Sequence, residues 1–96
     1  MGEGPARLKA DLAGTPSLWR HAEGKVASLT SRELEVLTLM AEGLSSPKIG
    51  AALGISDRTV DIFRGKLLRK LDVKSGTLAV RVAVYAALAQ RDREDS

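Results

Sequence analysis

The feature that most constrains the fold of this chain is a close succession of helix start and stop signals from Leu29 onward. The first signal is Thr30-Ser-Arg-Glu33, a capping box. In this motif the Thr30 hydroxyl accepts a hydrogen bond from the Glu33 amide, and the Glu33 carboxylate accepts one from the Thr30 amide. Apolar residues then recur at helical spacing as far as Gly43, where glycine favours a C-terminal stop. These signals predict a first helix over about residues 31–42.

Three more helices are predicted downstream by the same kinds of signal. Ser46 is expected to cap a short helix, with proline at its first position, that ends at Gly54. Ser56 caps a longer helix, and Ser75 opens a last helix that runs to about Gln90. Four helices with three short connections make an all-α domain. Its short helix, glycine-bearing turn and longer helix predict a helix-turn-helix.

The chain divides by composition into three segments. Residues 1–28 contain prolines and scattered glycines and are expected to be an N-terminal arm or linker, with a short helical turn at 6–13 and Trp19 as its anchor. Residues 29–90 form the helix-turn-helix domain. Residues 91–96 alternate in charge and are expected to be a solvated C-terminal tail.

The composition excludes several functional classes. The chain has no cysteine, so disulfides, thiolate zinc sites and thiol nucleophiles are ruled out. The single histidine, His21, cannot build a multi-histidine metal site. No nucleophile–base pair, catalytic carboxylate pair or phosphate loop is evident, so we expect neither an enzyme nor a cofactor. No apolar run approaches the length of a membrane span and no signal-peptide core is present, so no membrane partner is expected.

The charge is mildly basic and locally concentrated. The formal net charge is +3, from 15 basic and 12 acidic residues. This excess favours a polyanionic partner without requiring one. The local concentration lies in the third predicted helix, where five basic residues occur between Arg58 and Lys70 beside Asp57 and Asp61.

Five short runs carry a pattern that is specific to one family. They are LTSRELEVL (29–37), AEGLS (41–45), KIGAALGIS (48–56), RTV (58–60) and LRKL (68–71). Over about residues 28–90 the chain resembles the LuxR/FixJ-type (GerE-like) DNA-binding domain of bacterial transcription regulators. The resemblance implies four helices, the third in the DNA major groove and the fourth in a two-fold dimer. It also implies that such a domain is often joined to a receiver or ligand-sensing domain.

The chain departs from the family pattern in the predicted recognition helix. Asp61 stands where the family usually has lysine, and Phe63, expected to extend the core, stands where it has histidine. Gly65 occupies a further position that relatives use for DNA contact, and Lys66 replaces a common asparagine. Two interpretations are open. Asp61 accepts a hydrogen bond from a cytosine amino group, or Asp61 and Gly65 abolish normal DNA recognition.

The helical wheel indicates which side chains would face DNA. With Val60 and Leu67 inward, the outward positions include Asp61 and Gly65, while Lys48 of the short helix can reach a phosphate. Without the helix-turn-helix the basic residues would be interpreted as an ordinary solvated surface. The expected DNA-binding residues are Lys48, Arg58, Thr59, Asp61, Ile62, Arg64, Gly65, Lys66, Arg69 and Lys70.

The last predicted helix is apolar on two sides, and Arg81 is its one charged residue between positions 78 and 89. A surface helix needs one apolar stripe, so the second side must be covered. We expect an isologous homodimer. The expected interface residues are Leu78, Val82, Tyr85 and Ala89. The alternative is that the N-terminal arm covers this side within one chain, through Leu8, Leu12 and Trp19.

Two functions follow from these patterns. The first is a DNA-binding transcriptional regulator, or its DNA-binding domain, that places its third helix in the major groove. It would bind double-stranded DNA as a dimer on half-sites about one helical turn apart. We expect it in the bacterial cytoplasm, associated with the nucleoid. The second is a protein-interaction module that keeps the fold, has lost DNA recognition, and binds another regulator or the transcription machinery.

Overall fold

The computed structural model describes residues 15–95 and shows five α-helices there. They are α1 (Pro16–Ala27), α2 (Ser31–Ala41), α3 (Ser46–Leu53), α4 (Asp57–Leu71) and α5 (Gly76–Glu94). The all-α class is confirmed. The prediction of four helices was wrong for the described residues, because α1 forms within the segment expected to be an arm or linker. The helical turn expected at 6–13 lies outside the described residues.

Helix α1 has local signals of its own. The Thr15 hydroxyl accepts a hydrogen bond from the Leu18 amide at 3.2 Å, and Pro16 follows at the first helical position. Lys25 lies in the last turn, where a cation is favoured at the negative end of the helix dipole. Gly24 lowers the helix propensity, so the helix also depends on tertiary packing, which it finds along α5.

The capping signals of the other helices are present with one correction. Thr30 and Glu33 form both bonds of the capping box, at 2.8 and 3.2 Å. The N-cap of α3 is Ser45, whose side chain makes no capping bond, and not Ser46 as predicted. Ser46 is the first helical residue, so its hydroxyl is available for another partner.

The core lies among α2, α3, α4 and α5. Its buried side chains are Val36, Leu37, Met40, Ile49, Val60, Leu67, Leu71 and Ala79. Phe63 packs against this cluster, as predicted. Helix α4 contributes three of the buried residues, all on one face, which fixes its rotation and turns its opposite face to solvent.

Helix α1 lies along α5, so the first and last described helices pack against each other. Ala22 is buried there, as are Ala86 and Ala89 of α5. Glu23 and Arg93 form an ion pair. The Lys25 ammonium donates a hydrogen bond to the Leu71 carbonyl oxygen at 3.2 Å, at the C-terminal end of α4. The segment 16–27 is therefore packed on the domain, and α5 extends to Glu94, into the segment expected to be a tail.

Candidate nucleic-acid interface

The turn between α3 and α4 sets the geometry of the candidate interface. Gly54 ends α3 in the left-handed region, with φ of 71°, and its amide bonds to the Gly50 carbonyl oxygen. The Ser56 hydroxyl accepts a hydrogen bond from the Thr59 amide at 3.0 Å and so begins α4. This is a short helix, a glycine turn and a longer capped helix, as the sequence predicts.

The solvent-facing side of α4 brings together six of the ten expected DNA-binding residues. We call this set the recognition face: Arg58, Asp61, Ile62, Gly65, Lys66 and Arg69. All but Gly65 are exposed. Ile62 is 52% exposed, a large apolar side chain that faces solvent. Such a side chain on a basic helix face is suited to contact a nucleic acid base.

Gly65 leaves open space in the middle of the recognition face. A Cβ atom built on Gly65 would find one neighbour within 4 Å among the described residues, the Arg69 Nη1 atom at 3.6 Å. No steric contact with residues 15–95 therefore requires glycine at this position. The open space allows another molecule to approach the helix backbone closely.

Asp61 bonds to the preceding helix of the motif. Its Oδ1 atom accepts a hydrogen bond from the Ser46 hydroxyl at 2.8 Å. This contact joins the first turn of α3 to the second turn of α4. The wheel gave no indication of it, because it depends on how the two helices cross.

Lys70 lies beside the recognition face and pairs with a carboxylate of α2. Its ammonium lies 2.7 Å from the Oε1 atom of Glu33, whose residue is 2% exposed. The Lys70 hydrogen bond, followed by the one from the Thr30 amide, lowers the pKa of Glu33 below its ordinary value. Lys70 therefore neutralises a buried carboxylate. Sequence reasoning missed this role of Glu33, although the capping box had placed it at the start of α2.

Three further expected residues also lie away from the recognition face. Arg64 is half-buried, and its guanidinium packs over Gly76 at the start of α5. The Thr59 hydroxyl accepts a hydrogen bond from the Ser56 hydroxyl at 2.9 Å, within the cap of α4. Lys48 is exposed on α3. Of the three, Lys48 alone remains free to reach a phosphate.

Lys66 lies over an aromatic ring of its own helix. Its ammonium is 5.9 Å from the centroid of the Phe63 ring. This distance is at the outer limit of a cation–π contact, and an exposed contact of this kind is weak. The ammonium therefore remains available to an anion.

The expected dimer residues on α5 differ in their exposure. Leu78 is exposed, and Val82 and Tyr85 are half-buried. Ala89 is only 2% exposed, on the side of α5 that packs on α1. Its side chain is therefore not accessible to a second copy of the chain. Val84, which is 50% exposed, was missed by the sequence analysis. On a helical wheel of α5, Val84 lies opposite Ala79 and the other buried alanines, and this position could have identified it as an exposed apolar residue.

This arrangement defines a class of protein. A helix-turn-helix whose second helix is fixed by buried residues and presents basic side chains to solvent is a DNA-binding domain. The chain belongs to the LuxR family of bacterial regulatory proteins, whose family model matches residues 27–83. The family consists of transcription regulators and not of enzymes.

Several curated bacterial proteins are similar to this chain. It is 41% identical over 93 residues to the transcriptional regulatory protein LiaR of Bacillus subtilis, covering 82% of this chain and 43% of that protein. It is 37% identical over 68 residues to the transcriptional regulatory protein FixJ of Azorhizobium caulinodans, covering 71% and 32%. It is 46% identical over 57 residues to the nitrate/nitrite response regulator protein NarP of Escherichia coli, covering 59% and 26%. The chain thus spans less than half the length of these relatives.

Within residues 15–95, no helix has both the length and the apolar character needed to cross a membrane.

Proposed function

We propose that this domain binds double-stranded DNA by placing α4 in the major groove, and that it does so within a transcription regulator of the bacterial cytoplasm. The observation that carries the proposal is the recognition face, a solvent-exposed side of α4 with Arg58, Lys66 and Arg69 around the apolar Ile62. In this role the cations bind phosphates and position the helix, while side chains between them contact the bases.

Of the remaining expected residues, some would contact DNA and others hold α4 in place. Lys48 projects from α3 and is suited to a phosphate on the backbone that α3 approaches. Lys70 and Arg64 support the helix from its flanks through Glu33 and the start of α5. The functional set that we propose is therefore Lys48 together with the recognition face.

The test is fluorescence anisotropy with promoter DNA across a salt series. We expect binding that weakens steeply as salt rises, because each neutralised phosphate releases counterions. Arg69→Ala should weaken binding to all sequences similarly and lower the salt slope by about 1. Arg91→Ala, an exposed cation on the distal part of α5, is the matched control and should leave the slope unchanged. Absence of salt-sensitive binding at low salt would contradict DNA binding and favour the protein-interaction module.

We also propose that two copies of the domain pair through α5. The supporting observation is that α5 exposes two large apolar side chains, Leu78 at 37% and Val84 at 50%, while Tyr85 is half-buried. Ala86 and Ala89 of α5 are buried, and α5 packs against α1 within the chain. Leu8 and Leu12 lie outside the described residues.

Val84→Glu tests this pairing. A carboxylate on each copy at a two-fold contact would bring like charges together. We therefore expect the dimer dissociation constant, measured by sedimentation equilibrium, to rise at least tenfold. Ala51→Glu is the matched control, since Ala51 is exposed on α3 and away from α5. A wild-type chain that is monomeric at millimolar concentration, or a Val84→Glu variant with unchanged association, would contradict the proposal.

A further inference from the structure

We propose that Asp61 selects a cytosine in the major groove and that Ser46 holds its carboxylate in position for this contact. The inference rests on the proposed DNA binding and adds the identity of one base. It begins from the hydrogen bond between the Ser46 hydroxyl and Asp61 Oδ1, at 2.8 Å.

The first step concerns the orientation of the carboxylate. An exposed aspartate normally samples several rotamers, and fixing one of them during binding has an entropic cost. The Ser46 hydroxyl, on another helix, restrains Asp61 before any DNA is present. The hydrogen bond uses one lone pair of Oδ1 and leaves Oδ2 free to accept. Asp61 is therefore a partly preorganised hydrogen-bond acceptor.

The second step concerns access to that acceptor. Positions 61 and 65 lie one helical turn apart on the same side of α4. Gly65 has no side chain, and among residues 15–95 a Cβ atom built there would have only the Arg69 Nη1 atom within 4 Å. Position 65 therefore does not shield Asp61. Ile62, the next residue, is exposed and can contact a thymine methyl group nearby. The edge of a base pair can therefore approach Asp61 closely.

The third step concerns the chemistry of the base edges. A carboxylate can only accept hydrogen bonds, so it is repelled by the acceptor edges of guanine and by the thymine O4 atom. Adenine offers an amino group with the N7 acceptor beside it, whereas cytosine offers its N4 amino group as the main polar feature in the major groove. Asp61 therefore favours cytosine over the other three bases.

The fourth step concerns the phosphates, which repel any carboxylate in the groove. Arg58 lies one turn before Asp61 and Arg69 two turns after it, and both are exposed on the recognition face. Cations on both sides of Asp61 offset this repulsion at the helix ends, where phosphates approach. The overall affinity then comes from the cations, and the base preference comes from Asp61.

The experiment selects binding sites from a randomised DNA library with the wild-type chain and with Asp61→Asn, Asp61→Ala and Ser46→Ala variants. Wild type should enrich cytosine at one position of the site, by roughly tenfold over other bases. Asp61→Asn should shift that position to adenine, which asparagine recognises through N6 and N7. Asp61→Ala should remove the preference there, and Ser46→Ala should keep cytosine with a smaller enrichment.

Asp57→Asn is the matched control, since Asp57 is an exposed residue of the same helix. Its carboxylate accepts a hydrogen bond from the backbone amide of Arg58. The variant should leave all base preferences unchanged. If Asp61→Ala instead raises the affinity for every sequence equally, Asp61 only repels phosphates and this inference is overturned. Failure of all the proteins to bind DNA at low salt would overturn the proposed function as well, so the two failures are distinguishable. Thermal melts of each variant confirm that the comparison is between folded proteins.

Discussion

Replacing Gly50 with alanine is expected to destabilise the domain by about 3 kcal/mol, a large share of the stability of a domain of this size. The added Cβ would lie 2.5 Å from the Ile55 carbonyl oxygen and 3.3 Å from the Asp57 amide nitrogen. Both atoms belong to the backbone of the turn, so no flexible side chain can move aside. Relief of the overlap requires α3 and α4 to separate, which disturbs the core around Ile49 and Val60.

Gly65→Ala is the matched control for this prediction. Gly65 is also a helical glycine, but the site of its missing Cβ is open apart from the flexible end of Arg69 at 3.6 Å. Alanine is the better helix former, so this variant should be more stable than wild type by about 0.5–1 kcal/mol. Urea unfolding of both variants measures the difference. Equal stabilities would show that the turn does not approach Gly50 closely.

The four helices after residue 29 could be predicted because their signals are local. A capping box, a serine–proline pair and a glycine stop each act within a few residues, and the structure keeps these signals with a shift of one residue at Ser45. Helix α1 has a similar local signal in Thr15 and Pro16. It was missed because Gly24 and the neighbouring glycine-rich composition favoured a linker. In addition, α1 depends on packing against α5, which is distant in sequence.

For the candidate site, the sequence could predict only which residues of α4 face solvent. The wheel places Arg58, Ile62 and Arg69 outward correctly, since buried residues fix the rotation of α4. It cannot give the partners of long side chains. Lys70 bonds to Glu33, 37 positions away in sequence, because the crossing of α2 and α4 brings them together.

Lys70→Met is expected to destabilise the domain by about 2 kcal/mol near neutral pH. It removes the cation from a carboxylate that is buried in the wild-type fold, and an uncompensated buried charge is costly. The loss is smaller than for a fully buried pair, because the Lys70 side chain is 38% exposed and the Thr30 amide still donates to Glu33. Lys66→Met removes an exposed cation from the same helix and should change the stability by less than about 0.5 kcal/mol.

The pH dependence separates this electrostatic effect from a simple loss of packing. In the folded wild type the Lys70 hydrogen bond lowers the pKa of Glu33, so its stabilising contribution is present above the ordinary carboxyl pKa. That contribution is lost as the pH falls through the lowered value. Without the cation, burial favours the neutral carboxyl in Lys70→Met, so acid should cost the variant less stability than it costs wild type. In urea unfolding the gap between the two proteins should therefore narrow below about pH 4. A gap that is constant with pH would mean that Lys70 acts through the packing of its aliphatic stem and not through its charge.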